Sequence, residues 1–262
     1  MTIKNIIKKS NINKKEAVLL VSFILNKPKE FIIAHDDLEI SNDQIKDIKK
    51  LFFRRQKSEP IAYLLKQKEF YGRTFEVNKN VLIPRSETET IIDLVKNIYK
   101  DNSKIIDIGT GSGCIAITLK LECPNLDITA TDINKKALTT ARNNSKNLKT
   151  DIDFLKSDLL KNIPKYTKYD IIIANLPYVN KEWSTLKDIE YEPKTALFAK
   201  DNGLKTVKQL VRQSSEYLQP NGKIILELDP CQHEEITEFA KENGLQLYKV
   251  VDYIISFTFS KK

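Results

Sequence analysis

Three glycines at alternate positions, Gly109, Gly111 and Gly113, constrain this chain more than any other feature. They follow the apolar run Ile105-Ile106-Asp107-Ile108 and precede Ile115, Ala116, Leu119 and Leu121, which recur at helical spacing. The pattern predicts a buried strand, a tight turn and a helix, the opening of a βαβ unit. Glycine supplies the unusual dihedrals of such a turn and lets a ligand approach bare backbone. The helix start adds unpaired N–H groups. About twenty residues on, Asp132 closes a second strand-like run at 126–131, where a carboxylate can accept hydrogen bonds from both hydroxyls of a ribose. A nucleoside-containing ligand is expected. A nicotinamide loop usually reads G-x-G-x-x-G, whereas this one reads G-x-G-x-G after an aspartate.

The remainder of the chain supports an α/β reading. Strands are expected at 104–108, 126–131, 152–156, 169–174, 223–228, 245–250 and 253–259, alternating with helical segments, and the last two form an antiparallel pair. That alternation argues a doubly wound sheet with its ligand at the carboxyl ends of the strands. The first sixty or so residues read as helices, with capping-box spacings at Asn13/Glu16 and Ser41/Gln44. Pro28 suits the first turn of a short helix ending near His35, which decorates the helix end. A hairpin is expected across Gly72-Arg73 in 68–77. A third box, Ser86/Glu89, then precedes a helix carrying Ile91, Ile92, Val95, Ile98 and Tyr99. The expected division is a helical domain at 1–66, a hairpin linker at 67–85 and a large α/β domain at 86–262.

With 262 residues, the chain can bury a sizeable core. Its longest apolar runs fall far short of a membrane span, and its first residues lack a signal-peptide core. Cys114, Cys123 and Cys231 form no metal-like pair and suit a reducing compartment, so the cytoplasm, no membrane and no metal are expected. His233 is expected on a helix surface. The net charge of +8 is mostly lysine spread along the chain, compatible with a solvated surface or with transient contact to a ribonucleoprotein.

The second informative stretch is 169–178. A buried strand runs straight into Asn175-Leu176-Pro177-Tyr178, placing the tetrapeptide on the edge where the ligand is expected. The Asn175 side chain offers an amide oxygen, and Pro177 pushes Leu176 towards extended geometry, holding its carbonyl alongside. Two such acceptors match the two hydrogens of a planar –NH2 group, on which Tyr178 can stack.

On these residues the chain resembles the peptide-chain release factor glutamine N5-methyltransferases, within the class I S-adenosylmethionine-dependent methyltransferases. The likeness runs through Glu16-Ala-Val-Leu-Leu, Ile33-Ala-His-Asp, Pro60-Ile-Ala-Tyr and Lys68-Glu-Phe-Tyr-Gly. It continues through Val81-Leu-Ile-Pro-Arg-Ser-Glu-Thr-Glu, the glycine loop, Asp132, Ser157-Asp158, Asn175-Leu-Pro-Tyr and Tyr191-Glu-Pro. The resemblance implies a Rossmann-like methyltransferase sheet with a small N-terminal helical domain. It implies that Asp107, Gly109, Thr110, Gly111, Ser112 and Gly113 surround the methionine end of S-adenosyl-L-methionine. Asp132 binds its ribose, Asp158 and Leu159 flank its adenine, and Asn175 borders both cofactor and substrate. Asn175, Pro177 and Tyr178 are the implied catalytic residues. With Leu176 they hold the glutamine of a release factor's Gly-Gly-Gln loop, and Pro84 and Arg85 wall the entrance. A monomer is expected.

Two departures stand out. The family usually carries Asn-Pro-Pro-Tyr where this chain has Leu176, and the C-terminal region, Glu227-Leu-Asp-Pro-Cys-Gln and then Asp252-Tyr-Ile-Ile-Ser, lacks the glycine and arginine commonly found there. Asn-Leu-Pro-Tyr is the form typical of rRNA adenine methyltransferases, which makes adenine N6 the alternative acceptor. Against that alternative stand about a hundred residues ahead of the glycine loop, including Ile-Pro-Arg-Ser-Glu-Thr-Glu.

Overall fold

The computed structural model describes residues 1–180 and 190–259, which fall into two compact units. The first is built on Met1–Gln67. Its helices are α1 (Ile3–Lys8), α2 (Lys14–Leu25), α3 (Lys29–Ala34), α4 (Asn42–Gln56) and α5 (Ile61–Leu65). They share a core of Ile3, Ile6, Leu20, Val21, Ile32, Ile48, Phe52 and Leu64.

The Ser41/Gln44 capping box forms, each side chain taking the other residue's backbone N–H. The Asn13/Glu16 box does not. Asn13 accepts from Lys15 N, while Glu16 instead holds Arg55 of α4 through Nε at 2.9 Å and Nη2 at 3.0 Å. A fork-to-fork ion pair between helices competes well with a single cap bond. His35 ends α3, stacked on Phe31 with centroids 4.2 Å apart.

The second unit opens with the predicted hairpin, β1 (Gln67–Phe70) and β2 (Arg73–Glu76), turning through Tyr71 and Gly72, both at positive φ. Phe70 and Phe75 bury edge to face under α6 (Glu89–Ile98) and α7 (Cys114–Glu122). Asn144 then clamps the hairpin, accepting from Glu76 N and donating to Glu76 O. The third expected capping box is absent. Glu89 Oε1 accepts from Tyr71 N at 2.8 Å, so the glutamate ties the helix to the hairpin.

The main sheet adds β3 (Lys104–Ile108), β4 (Asp127–Asp132), β5 (Asp153–Lys156), β6 (Tyr169–Ala174), β7 (Leu218–Glu227), β8 (Leu245–Val251) and β9 (Ile254–Phe259). Their order is β5-β4-β3-β6-β7-β9-β8, parallel except for β9, which runs antiparallel to both neighbours. The expected antiparallel pair at the end of the chain is therefore present.

Central strands are apolar on both faces because both are covered. On one face, Ile106, Ile108, Ile172, Ile224 and Leu226 pack with Val207, Leu210 and Val211 of α10 (Lys205–Ser214) and Ile236 of α11 (His233–Glu242). On the other, Ile105, Ile171, Ile173 and Ile225 pack with α6 and α7. The helices α8 (Lys135–Asn147) and the short α9 (Lys194–Leu197), with a 3-10 turn at Pro230–Gln232, complete the described elements. No helix among the described residues is long and apolar enough to cross a membrane. Cys114 and Cys123 are buried and Cys231 is exposed, all as free thiols.

Strand order reverses between β3 and β6, which makes their carboxyl ends the switch point where an open α/β sheet leaves a crevice. The register pairs Ile108 with Ala174, and Ala174 with Leu226. Hence Gly109, Asn175 and Glu227 leave the sheet side by side.

Candidate active site at the sheet's carboxyl edge

A cavity of about 420 Å³ opens at that switch point. It is lined by Gly109 to Ser112, Asp132, Ile133, Asp158, Leu159 and Asn175 to Pro177, together with Pro84, Arg85 and Thr88. Its size falls within the range of about 300–1,000 Å³ usual for small-molecule sites. Sequence-predicted residues from five separate segments thus converge on one space.

The glycine loop adopts left-handed backbone at all three positions, with φ of 75° at Gly109, 57° at Gly111 and 82° at Gly113. Gly113 is also sterically closed, since a Cβ there would lie 2.8 Å from Ile117 Cδ1 and 3.2 Å from Ala141 Cβ. It caps α7 from outside the cavity wall. The loop is held by backbone bonds from Gly109 N and Thr110 N to Thr131 O. Asn144 Nδ2 holds it from α8 by donating to Ser112 O.

Asp107 is buried beneath the loop rather than lining the cavity. Thr110 Oγ1 donates to its Oδ2 at 2.6 Å, while Oδ1 has no partner among the described residues. Burial, with Asp132 as a lesser contributor, pushes its carboxyl up to about 7. Asp132 faces the cavity and receives Gly111 N on Oδ2 at 3.0 Å and Asn134 N on Oδ1 at 2.8 Å. Burial raises its pKa as well, and those two N–H groups restrain the rise.

This donor set fits S-adenosyl-L-methionine. Open glycine backbone can lie against a chain bearing charged groups, Asp132 keeps free lone pairs for a ribose, and Ile133 gives an apolar wall for a base. Asp158 lines the cavity while pairing with Lys161, and Leu159 stands beside it at φ 53°.

Three residues of the tetrapeptide, Asn175, Leu176 and Pro177, line this pocket. Asn175 Nδ2 donates to Thr88 Oγ1 at 3.1 Å, and Thr88 Oγ1 donates to Glu227 Oε2 at 2.6 Å. Tyr178 does not line the cavity; its hydroxyl donates to Glu227 Oε1 at 3.3 Å, and burial drives its pKa up. The Tyr178 carbonyl accepts from Gln232 Nε2 at 2.9 Å. Gly203 passes so close to that carbonyl that a Cβ would lie 1.9 Å from its oxygen. Pro84 and Arg85 are anchored by Glu192, which is 5% exposed, pairs with Arg85 and accepts from Ile83 N at 3.1 Å.

Thr88, Glu227, Glu192, Gly203 and Gln232 carry no site role in the sequence reading. Four of them lie inside segments singled out in the sequence, Glu192 in Tyr191-Glu-Pro and Gln232 in Glu227-Leu-Asp-Pro-Cys-Gln among them. Glu227 is the single acid ending the apolar run Ile224-Ile225-Leu226, at the same edge as Asn175, and Thr88 lies inside Ile-Pro-Arg-Ser-Glu-Thr-Glu. His233 is half-buried, with its Nε2 enclosed.

Comparison with known proteins adds independent findings. The family description "PrmC N-terminal domain" matches residues 3–65, and "Methyltransferase small domain" matches residues 88–191. The "Bifunctional methyltransferase" of Rickettsia bellii is 37% identical, over 88% of this chain and 47% of its own length. The chain thus spans about half the length of the first relatives it matches. The "Release factor glutamine methyltransferase" of Borreliella burgdorferi is 39% identical, covering 94% of this chain and 87% of that protein. A crystal structure of a methyltransferase from Pyrococcus furiosus shares the fold with a TM-score of 0.57 at 19% identity, over 74% of this chain and 92% of that one.

Proposed function

The chain belongs to the release factor glutamine methyltransferase family, and from that premise we propose that it methylates the side-chain amide nitrogen N5 of a glutamine. The methyl donor is S-adenosyl-L-methionine. The acceptor is the glutamine in the Gly-Gly-Gln loop of peptide-chain release factors. The observation that supports this most is the placement of Asn175 and Leu176 beside Gly109, where an –NH2 group can be held against the cofactor pocket.

When bound, S-adenosyl-L-methionine supplies an electrophilic methyl group on a sulfonium. The chain's residues do the rest. Gly109 to Ser112 present backbone to its methionine end, Asp132 accepts from its ribose, and Asp158 and Leu159 flank its adenine. Asp107 and Gly113 shape the loop from beneath.

An amide nitrogen is a poor nucleophile because its lone pair is delocalised into the carbonyl. Asn175 Oδ1 and the Leu176 carbonyl accept its two N–H bonds, which pushes electron density onto nitrogen and fixes its plane. Pro177 sets the Leu176 geometry, and Tyr178, outside the cavity, ties the tetrapeptide to Glu227 through its hydroxyl. Pro84 and Arg85 wall the approach. Orientation of this kind supplies roughly 7–11 kcal/mol of barrier reduction. No strong base is needed, because the nitrogen would lose its surplus proton to water after the methyl group has moved and the donor has been left as a neutral thioether.

The working division assigns helical residues 1–66, a hairpin linker at 67–85 and the catalytic domain at 86–262. The protein acts in the cytoplasm as a monomer, with transient ribonucleoprotein contact through its basic surface. Labelled methyl transfer offered to a release factor and to ribosomal RNA side by side tests the reading. Label in the protein alone is expected, and label in the RNA alone would replace glutamine by adenine as acceptor.

A further inference from the structure

Asn175 is useful as an acceptor only if its amide oxygen, not its nitrogen, faces the substrate. An asparagine amide turned by half a revolution would present donors instead, and its shape would hardly change. Something must fix its sense.

We propose that Thr88 and Glu227 are positioning residues that lock the Asn175 amide with Oδ1 towards the cavity. The proposal deepens the glutamine reading above and rests on it. Thr88 and Glu227 are each 2% exposed, so neither side chain exchanges its partners freely with water. A threonine hydroxyl has one hydrogen, and the Glu227 carboxylate can only accept while ionised. Thr88 therefore spends that hydrogen on Glu227 Oε2 at 2.6 Å. Its oxygen is left as an acceptor, and the group within reach at 3.1 Å must be the donor Nδ2.

The direction of each bond follows from the one before it while Glu227 is ionised; burial raises its pKa, and the hydrogen bonds from Thr88, Tyr178 and Asn175 counter that rise. Tyr178 places its hydroxyl on the other carboxylate oxygen, so both ends of the tetrapeptide refer to the same buried acid. Donation from Nδ2 towards a negative charge also raises the electron density on Oδ1, which strengthens it as an acceptor. The parallel register places Asn175 and Glu227 in adjacent exits from β6 and β7, with Thr88 bridging them from the start of α6.

Two measurements test the relay. In the free protein, the Asn175 side-chain NH2 is followed by NMR and assigned by its disappearance in Asn175→Ala. One of its two protons should be downfield and slow to exchange in wild type and in Thr88→Ser. That protection should be lost in Thr88→Val, which keeps the shape and removes the hydroxyl.

In turnover with a release factor, Thr88→Val should lower kcat about tenfold or more while KM stays within about twofold, the signature of an interaction felt mainly in the transition state. Thr88→Ser should restore kcat. Glu227→Gln, which can donate as well as accept and so no longer dictates the sense, should lose kcat similarly and serves if Thr88→Val fails to fold. An Asn175 amide unchanged in the Thr88→Val or Glu227→Gln protein, with wild-type kcat, overturns the proposal. A wild-type protein that methylates no release factor overturns the functional reading instead, and the amide signal then still decides the relay.

Discussion

Gly109 and Leu176 meet where β3 and β6 end: a Cβ on Gly109 would lie 3.0 Å from Leu176 Cδ2, and Leu176 is buried. The glycine loop and the Asn175-Leu-Pro-Tyr segment are therefore packed against each other. Gly109→Ala should combine that contact with left-handed strain of about 1–2 kcal/mol. Cofactor affinity and melting temperature should both fall. The Leu176→Pro substitution, which restores the family's usual motif, removes the branched side chain but leaves the 176 carbonyl in place. Methylation of a release factor should change by less than about tenfold, 1.4 kcal/mol. Loss of protein methylation in a folded Leu176→Pro variant would show that Leu176 sets the shape of the pocket.

Asp132 holds Gly111 N and Asn134 N as well as facing the cavity. Asp132→Ala should weaken S-adenosyl-L-methionine by about 1–3 kcal/mol, the usual cost of losing charged hydrogen bonds. It should also lower the melting temperature, because two loop N–H groups lose their acceptor. Calorimetry beside a thermal melt separates the two effects. Undiminished affinity in the folded variant would remove Asp132 from the ribose site.

Asp107 gives the fold a dependence on pH. Its folded-state pKa is about 7, against 3.8 for the unreacted carboxyl, so the folded protein binds this proton more tightly than the unfolded chain does. The sign follows: stability from this group is fully present below about pH 4, declines as pH rises, and is lost once pH passes about 7. Asp107→Asn, neutral at every pH, should flatten that decline. Denaturant unfolding at pH 5.5 and pH 8, roughly either side of the raised pKa, should show the wild type losing stability relative to the variant. Parallel changes in both proteins would contradict the assignment.

Much of this architecture could be read from the residues, because its signals are local. The apolar run into Gly109, Gly111 and Gly113 gave the strand, turn and helix, and Asn175-Leu-Pro-Tyr stood at a strand end. What could not be read depended on partners distant in sequence. Ser86 and Glu89 have the spacing of a capping box, yet Glu89 is claimed by Tyr71 N, 18 residues away. Glu16 is likewise taken by Arg55, 39 residues away. Thr88 and Glu227 lie 139 residues apart, and only the strand register brings them to Asn175. Gly203 reads as a loop glycine until the Tyr178 carbonyl is seen against it.

Asn175→Ala removes one of two acceptors from the proposed amide site and leaves the sheet intact. The rate should drop about a hundredfold or more, near 2.7 kcal/mol. The melting temperature should stay close to wild type, since Asn175 contributes one side-chain bond to Thr88. Full turnover in the variant would contradict the two-acceptor mechanism.

The most direct measurement is the mass of a release factor after incubation with this protein and S-adenosyl-L-methionine, followed by peptide mapping. One added methyl group on the glutamine of the Gly-Gly-Gln loop, absent when that glutamine is replaced, is the predicted result. An unmodified release factor beside methylated ribosomal adenine would contradict the account.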